Sequence, residues 1–174
     1  MSLFVVDVES DGPVPVDYSM VCFGAVLVDK EGKLDKTFYG ETRPISDKWD
    51  PEALAISGIS REKHLTFSDP KNVMINFSNW VERVNQKGRP IFITDNPGYD
   101  FGWMSYYLHH YVGKNVFGFS ARRIGDIYCG LMKDPYAKWK HLRKTRHTHN
   151  PVDDATGNAE AILAINKMGI TLVK

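Results

Sequence analysis

Cysteine is scarce in this chain: two occur among 174 residues, and Cys22 and Cys129 are too far apart for a CxxC metal pair. Two thiols in a chain of this size are typical of a reduced protein, so we expect a cytoplasmic location. Long apolar runs are missing as well. The early run from Leu3 to Val6 meets Asp7 at once and is too short for a signal peptide or a membrane span, so we expect no membrane association.

An excess of one charge is also missing. The 22 lysines and arginines are balanced by 21 acids, which gives a formal net charge of +1. Binding of nucleic acid by overall charge is therefore excluded, and nucleic-acid chemistry would need a local basic patch and metal ions. The sequence contains no internal repeat or long Pro/Gly/Ser linker, and 43% of its residues are hydrophobic, so we expect one globular domain over residues 1–174.

Hydrophobic patterning predicts an α/β domain. Three apolar segments near the N terminus, residues 3–9, 20–28 and 34–42, favour an antiparallel meander. Cap residues, helix-starting prolines and glycine stops then predict, in order, helix 50–58, helix 69–88, strand 90–94, helix 100–112, helix 123–132 and helix 150–169. Strands that alternate with helices indicate a mixed sheet, whose functional groups gather at strand ends and helix starts.

Asp7 and Glu9 lie in the first predicted strand, where acids are uncommon. Side chains alternate along a strand, so both carboxylates point to one face with their Cα atoms about 6–7 Å apart. Two carboxylates this close repel each other unless a cation lies between them, and Mg²⁺ prefers such oxygen ligands. The alternative is that Asp7 and Glu9 simply end an exposed strand.

Three further polar residues stand near predicted helix starts. Asp100 follows a strand and a turn, while His149 and Asp154 flank the start of the last helix. We expect all three to converge on the end of the first strand. Asp153 and Asp154 point about 100° apart on a helix, so only one of them faces the site. Asp153 also has the spacing of a capping-box partner for Asn150.

Three motifs occur in the order typical of one enzyme family. They are Asp-Val-Glu-Ser-Asp-Gly at 7–12, Asp-Asn-Pro-Gly-Tyr-Asp-Phe at 95–101 and His-Asn-Pro-Val-Asp-Asp-Ala at 149–155. They resemble Asp-x-Glu-Thr-Thr-Gly, His-Asn-x-x-Phe-Asp and His-x-x-x-x-Asp of the DEDDh 3′→5′ exonucleases, and this last spacing favours Asp154. The resemblance implies an RNase H-like fold, with a mixed five-stranded sheet of three antiparallel N-terminal strands plus parallel strands, flanked by helices.

Several residues depart from the family pattern. Ser10 and Asp11 replace the two threonines, Asp95 replaces a histidine, and Cys22 lies where many relatives carry an acid. None of these departures removes an expected metal ligand.

The resemblance implies hydrolysis of phosphodiester bonds at the 3′ end of single-stranded RNA or DNA, with two Mg²⁺ or Mn²⁺ ions. Asp7 would bridge the ions, and Glu9 and Asp154 would complete one position. Asp100 would hold the other ion through water. His149 would act as general base, because a neutral imidazole accepts the proton of the attacking water. The motifs do not separate RNA from DNA; we favour RNA. Homodimers are common among small family members, so the resemblance is compatible with a homodimer.

Seven residues are candidate contacts to the nucleic acid. They are Ser10, Met20, Ser57, Phe101, Trp103, Arg143 and Arg146. The first three lie where the terminal sugar would be received, and Met20 would also wedge against the terminal base. The two aromatic residues would stack on a base, and the arginines belong to the basic segment 138–147. The alternatives are core packing for the methionine and the aromatic residues, and a solvated surface for the basic segment.

Two other functions fit part of the sequence. The residues His141, His147, His149 and Asp153 have a spacing that zinc accepts, which would make a zinc-dependent phosphohydrolase. This alternative leaves the acids of the first two motifs unexplained. The other alternative is a non-catalytic nucleic-acid-binding module of the same fold. Such a module usually loses a metal carboxylate, and none of the expected carboxylates is missing.

Overall fold

The computed structural model describes residues 2–29 and 31–172. The strands in this part of the chain are β1 (Leu3–Ser10), β2 (Met20–Val28), β3 (Thr37–Glu41), β4 (Ile91–Thr94) and β5 (Ala121–Arg123). The α-helices are α1 (Pro51–Ile56), α2 (Arg61–Leu65), α3 (Pro70–Val84), α4 (Asp100–Val112), α5 (Ile124–Met132) and α6 (Pro151–Lys167), and a 3₁₀ turn covers Lys140–Leu142. Among these described residues, no helix is both long enough and apolar enough to cross a membrane.

The strands form one sheet in the order β3-β2-β1-β4-β5. β1, β2 and β3 pair antiparallel, whereas β4 runs parallel to β1 and β5 runs parallel to β4. This mixed sheet, flanked by helices, confirms the predicted fold class. The sequence pattern does not predict α2 and β5, because five and three residues are too few to establish a period.

Alternation along β1 assigns its side chains to two cores. The even-numbered residues from Phe4 to Val8 face the core that α3 and α4 cover. The odd-numbered residues Leu3 and Val5 face the core that α5 and α6 cover. Asp7 and Glu9 continue the odd-numbered series, so both acids lie on the face of the sheet that α6 covers.

A glycine sets how closely α6 approaches the sheet. Gly24 of β2 is paired with Asp7 in the antiparallel register. A Cβ atom at position 24 would lie 2.4 Å from the backbone of Pro151, the first residue of α6. Because no side chain fits between them, the N-terminal end of α6 lies directly against β2, beside Asp7.

The start of α6 is capped as the sequence predicts. Asn150 is the N-cap, and its side-chain oxygen accepts hydrogen bonds from the amides of Val152 and Asp153 at 3.0 and 3.4 Å. Pro151 occupies the first helical position, where a missing N–H costs nothing. The cap fixes the first turn of α6, which carries the acids of the third motif.

Candidate active site

Three carboxylates converge where β1 meets the start of α6. Asp7, Glu9 and Asp154 each offer an oxygen atom, and these oxygens lie within 4.8 Å of one another. Glu9 is 8% exposed and Asp154 is fully buried, whereas Asp7 is partly exposed. Oxygen donors at this spacing can share a divalent cation.

Asp154, and not Asp153, belongs to this cluster. Asp153 is exposed, and its carboxylate accepts a hydrogen bond from the hydroxyl of Thr148 at 3.2 Å. The carboxylate of Asp154 accepts hydrogen bonds from the amides of Thr148 and His149, at 3.1 and 2.9 Å. Because both amides belong to the loop before α6, this loop holds the Asp154 carboxylate in place.

Asp100 lies beside the three carboxylates, but in the described part of the chain it is not one of the acids grouped within 4.8 Å. It is 5% exposed and occupies the first position of α4. One of its oxygens accepts a hydrogen bond from the amide of Val8 at 3.1 Å, and the other accepts one from the hydroxyl of Thr94. Both oxygens are thus engaged by the protein, and Asp100 acts on the cluster through its negative charge.

Burial and neighbouring negative charges raise the pKa values of Asp7, Glu9 and Asp100. Burial is the largest cause of a pKa of Asp7 well above its ordinary range, followed by the charge of Asp100 and then by those of the other acids. Burial, and next the charge of Asp154, raises the pKa of Glu9 to about 7. Burial also raises the pKa of Asp100 to about 7, although the hydrogen bonds to its oxygens oppose the shift. Negative charge that is concentrated and poorly compensated in this way favours a bound cation.

His149 stands at the exposed rim of the cluster. Its Nδ1 lies 3.6 Å from Oε1 of Glu9, and its side chain is 45% exposed. The backbone φ of His149 is 60°, in the left-handed region that residues other than glycine rarely adopt. The hydrogen bond from the His149 amide to Asp154 holds this conformation and keeps the imidazole next to Glu9.

Arg143 lies inside the site rather than on a basic surface. Its guanidinium donates to Oδ1 of Asp154 at 3.0 Å, and its side chain is only 10% exposed. Gly157 permits this approach, because a Cβ there would lie 2.6 Å from Nε of Arg143. Arg143 is therefore not part of an open basic surface, and its contact with phosphate stays a prediction. The charge of Arg143 lowers the pKa of Asp7.

Burial argues against two of the expected nucleic-acid contacts. Met20 is 0% exposed and Trp103 is 1% exposed, and both pack in the core on the α3 and α4 side of the sheet. A side chain without exposed surface cannot wedge or stack against a base, so the core-packing alternative holds for both. Phe101 keeps some exposed surface while packing edge-on against Phe92.

The remaining expected contacts differ in exposure. Ser10 is 3% exposed, and its hydroxyl donates to the carbonyl of Gly12 at 2.6 Å. Ser57 is partly exposed, and its hydroxyl donates to the carbonyl of Leu54 at 2.7 Å, at the end of α1. Arg146 is exposed and makes the basic segment accessible beside the site.

The motifs alone do not predict the role of Tyr99 in the site. The hydroxyl of Tyr99 lies 2.5 Å from the hydroxyl of Ser10 and so connects the second motif to the first. Burial raises the pKa of Tyr99 to about 12, so the phenol stays protonated and can donate to Ser10. The signal in the sequence was its place directly before Asp100, where the family pattern has a phenylalanine that cannot make this bond.

A cleft opens near the ends of β4 and β5. Its volume is about 440 Å³, and the basic segment forms one wall. Lys140 pairs with Asp95 at 2.9 Å across it. Asp95 stands where the family pattern has histidine, so this departure ties the basic segment to the second motif.

A mixed sheet of this order, with carboxylates gathered at the end of its first strand, defines the RNase H-like class of nucleases. The chain is 32% identical over 175 residues to the 3′-5′ DNA exonuclease Cap18 of Escherichia coli, and the match covers 94% of this chain and 90% of the relative. This chain therefore belongs to the DEDDh family of 3′–5′ exonucleases. No protein-family model matches it.

Solved structures of low sequence identity share the fold. The nuclease domain of 3′hExo, a DEDDh family member bound to rAMP, superposes with a TM-score of 0.77 at 16% identity, covering 97% of this chain and 92% of that one. Cell-death related nuclease 4 gives a TM-score of 0.79 at 16% identity, over 97% of this chain and 64% of that protein. Zinc-bound exonuclease I of E. coli in complex with single-stranded DNA gives 0.73 at 16% identity, over 95% of this chain and 40% of that protein.

Proposed function

We propose that this protein is a metal-dependent exonuclease that removes nucleotides from the 3′ end of single-stranded nucleic acid, with DNA as its main substrate. The observation that carries the proposal is the convergence of Asp7, Glu9 and Asp154, together with the raised pKa values of the first two. Membership of a 3′–5′ exonuclease family supports the direction of cleavage.

The donor set supports Mg²⁺ or Mn²⁺ as the metal. Asp7, Glu9 and Asp154 offer oxygen donors, which these hard cations prefer. Asp100 would contribute through water, because among the described residues its carboxylate is not one of the acids whose oxygens lie within 4.8 Å of one another. When two such ions are bound, they polarise the scissile phosphate and make the attacking water more acidic.

His149 takes the proton from the attacking water. Its Nδ1 is turned toward Oε1 of Glu9, so Nε2 is the ring nitrogen that accepts the proton. The negative charge of Glu9 then stabilises the imidazolium that forms. Arg143 offsets part of the charge of Asp154 and keeps that carboxylate oriented.

Replacement of the proposed base tests this assignment. We expect His149→Ala to lower kcat about 10²- to 10⁴-fold, while the affinity for Mg²⁺ stays close to that of the wild type. Single-turnover cleavage measures the first quantity and calorimetric titration with Mg²⁺ the second. His109→Ala is the matched control, because His109 is an exposed histidine on α4. An equal loss of Mg²⁺ affinity in His149→Ala would make His149 a ligand instead.

The choice of DNA rests on the relative. From the sequence alone we favour RNA, but the 32% identical relative is a 3′-5′ DNA exonuclease. Matched DNA and RNA strands of one sequence, digested side by side at several lengths, measure the preference directly. Faster digestion of RNA at every length would overturn the DNA proposal without affecting the exonuclease proposal.

A 5′-labelled single strand tests the activity itself. We expect a ladder that shortens from the 3′ end with Mg²⁺ or Mn²⁺, that vanishes with EDTA, and that a blocked 3′ end delays. Asp153→Asn should cleave like the wild type, because Asp153 is exposed and points away from the cluster. Binding of the strand without cleavage would support the non-catalytic module, and internal cuts would exclude an exonuclease.

Three further expectations complete the proposal. We propose a single exonuclease domain over residues 1–174, a homodimer and a cytoplasmic location. Sedimentation of the purified protein measures the oligomeric state, and fractionation of cells measures the location.

Exposed Arg146 is the proposed phosphate contact of the basic segment, so Arg146→Ala should reduce the salt dependence of binding by about one unit in slope.

A further inference from the structure

A second group of potential metal ligands adjoins the carboxylates. His147, His149 and Asp154 each offer one ligand atom, and these atoms lie within 4.8 Å of one another. Nδ1 of His147 is 2.8 Å from Oδ2 of Asp154, and the two imidazole rings are 4.3 Å apart between centroids. The histidine side chains are 53% and 45% exposed, so a cation can reach them from solvent.

The chemistry of this group differs from that of the acid cluster. Two imidazoles and one carboxylate form a ligand set that zinc and its neighbours in the transition series favour. Magnesium prefers oxygen atoms and gains nothing from the imidazoles. Three protein ligands leave a fourth tetrahedral position for water.

The backbone arranges this ligand set in advance. His147 and His149 are separated by one residue, and the left-handed φ of 60° at His149 turns its ring to the same side as that of His147. The amides of Thr148 and His149 both donate to Asp154, which holds its carboxylate beside the two rings. Arg143 occupies Oδ1 of Asp154, while His147 faces Oδ2, so the two sides of the carboxylate have different partners.

These three residues differ from the zinc ligands predicted from the sequence, which include His141 and Asp153. His141 packs against Tyr128, with ring centroids 6.0 Å apart, and Asp153 bonds to Thr148. Asp154 replaces both as the third ligand. Zinc at this position would therefore share a residue with the proposed catalytic metal site rather than form an independent centre.

We propose that His147, His149 and Asp154 bind a zinc-class ion and that the zinc-loaded protein is an inactive exonuclease. Zinc would remove the proposed base, His149, and one carboxylate, Asp154, from the catalytic arrangement. The inhibitory part rests on the proposed function, whereas the binding part does not. Both metals would draw on the carboxylate of Asp154, and two cations this close repel each other, so we expect each to weaken the binding of the other.

Cobalt titration tests the binding independently of activity. Co²⁺ adopts zinc-like tetrahedral sites and absorbs visible light there, so the full-length protein is titrated with Co²⁺ in excess Mg²⁺ and then with competing Zn²⁺. We expect one equivalent to bind the wild type and His147→Ala to bind at least about 10-fold more weakly. His141→Ala is the matched control and should bind like the wild type. Equal affinity of His147→Ala and the wild type would overturn the site.

Inhibition is measured with the same proteins. With Mg²⁺ present, added Zn²⁺ should slow the wild type and His141→Ala, while His147→Ala keeps its rate. His147 contacts solvent and is not part of the proposed catalytic set, so its replacement should leave the rate without zinc close to the wild-type rate. If zinc inhibits His147→Ala as strongly as the wild type, the ion acts at the acid cluster and the proposal is wrong. If no protein cleaves nucleic acid, the proposed function fails while the cobalt result still decides the binding.

Discussion

Asp7 and Asp11 lie four residues apart in the first motif, but the groups around their carboxylates differ in charge. Asp11 is fully buried, with one oxygen 2.8 Å from the guanidinium of Arg61 and the other accepting the amide of Ser19. Asp7 is surrounded by three other acids, and Arg143 is the neighbour that lowers its pKa.

The difference in their neighbours indicates that Asp11 has a structural role and that Asp7 has a role in binding a cation. Burial raises the pKa of Asp11, and the Ser19 amide and the Arg61 guanidinium oppose that shift. At Asp7 the neighbouring charges add to the effect of burial. Arg61 is the first residue of α2 and also donates to the carbonyl of Ser46 at 3.2 Å, so it connects the first motif to α2 and to the segment between β3 and α1. A buried carboxylate with protein partners stabilises the fold, whereas one among acids is stabilised by a cation.

The largest expected effect comes from removing the charge of Asp7. Asp7→Asn should lower the cleavage rate by at least about 10³-fold, because the acid cluster loses its central metal ligand. The metal-free variant should nevertheless be more stable than the wild type near neutral pH, because three acids repel one another less than four. Cleavage of a labelled strand and urea denaturation with EDTA measure the two effects. A less stable variant would contradict the claim that the neighbours of Asp7, unlike those of Asp11, destabilise its charge.

Removal of Arg61, the partner of Asp11, should lower the stability of the protein. Arg61→Ala leaves a buried carboxylate without its cation, and we expect a loss of about 3 kcal/mol in the free energy of unfolding. Urea denaturation measures the loss. Arg122→Ala is the control, because Arg122 is exposed and its removal should change stability by less than about 0.5 kcal/mol. A loss as small as that of the control would mean that solvent already neutralises Asp11.

The smallest expected effect is a pH dependence of the metal-free protein. The pKa of Glu9 is about 7 in the folded state, above its ordinary value, so the folded state binds more protons than the unfolded state in the window between them. Stability from this group is therefore lost as the pH rises through that window. His64 has a pKa lowered to about 4, first by burial and then by Arg61, and contributes the opposite slope.

A variant isolates the contribution of Glu9 from that of His64. Relative to Glu9→Gln, the wild type with EDTA should lose on the order of 1–3 kcal/mol between about pH 5 and pH 8. Urea midpoints at the two pH values measure the difference. Saturating Mg²⁺ should reverse the effect, because a ligand that binds the folded state alone stabilises it. Parallel curves for the two proteins in EDTA would show that the Glu9 charge is compensated.

Local signals in the sequence predict most of the fold. The alternation of β1 places Asp7 and Glu9 on one face, and cap, proline and glycine signals predict α6. Helix α4 begins and ends as predicted, at Asp100 and Val112. These features succeed because each depends on the period of one element and on residues next to it in the chain.

The errors concern contacts between distant segments. Met20 and Trp103 resemble base-stacking residues by their position near the motifs, yet tertiary packing buries them. Arg143 belongs to a basic segment, but Gly157 on α6 lets it turn inward to Asp154. Neither outcome follows from the residues nearby. The burial of Met20 and Trp103 depends on how α3 and α4 cover the sheet, and the inward turn of Arg143 depends on its contact with α6.

The geometry of the acid cluster depends on Gly24, a residue outside the three motifs. It is not an acid and touches no proposed substrate, yet its missing side chain lets the third motif reach the first. A relative with a bulkier residue at this position would retain every carboxylate and still hold them too far apart for a shared cation. Pseudoenzymes of this kind would pass a search for the acids alone, so the paired glycine is a useful added criterion when active members are selected from sequence.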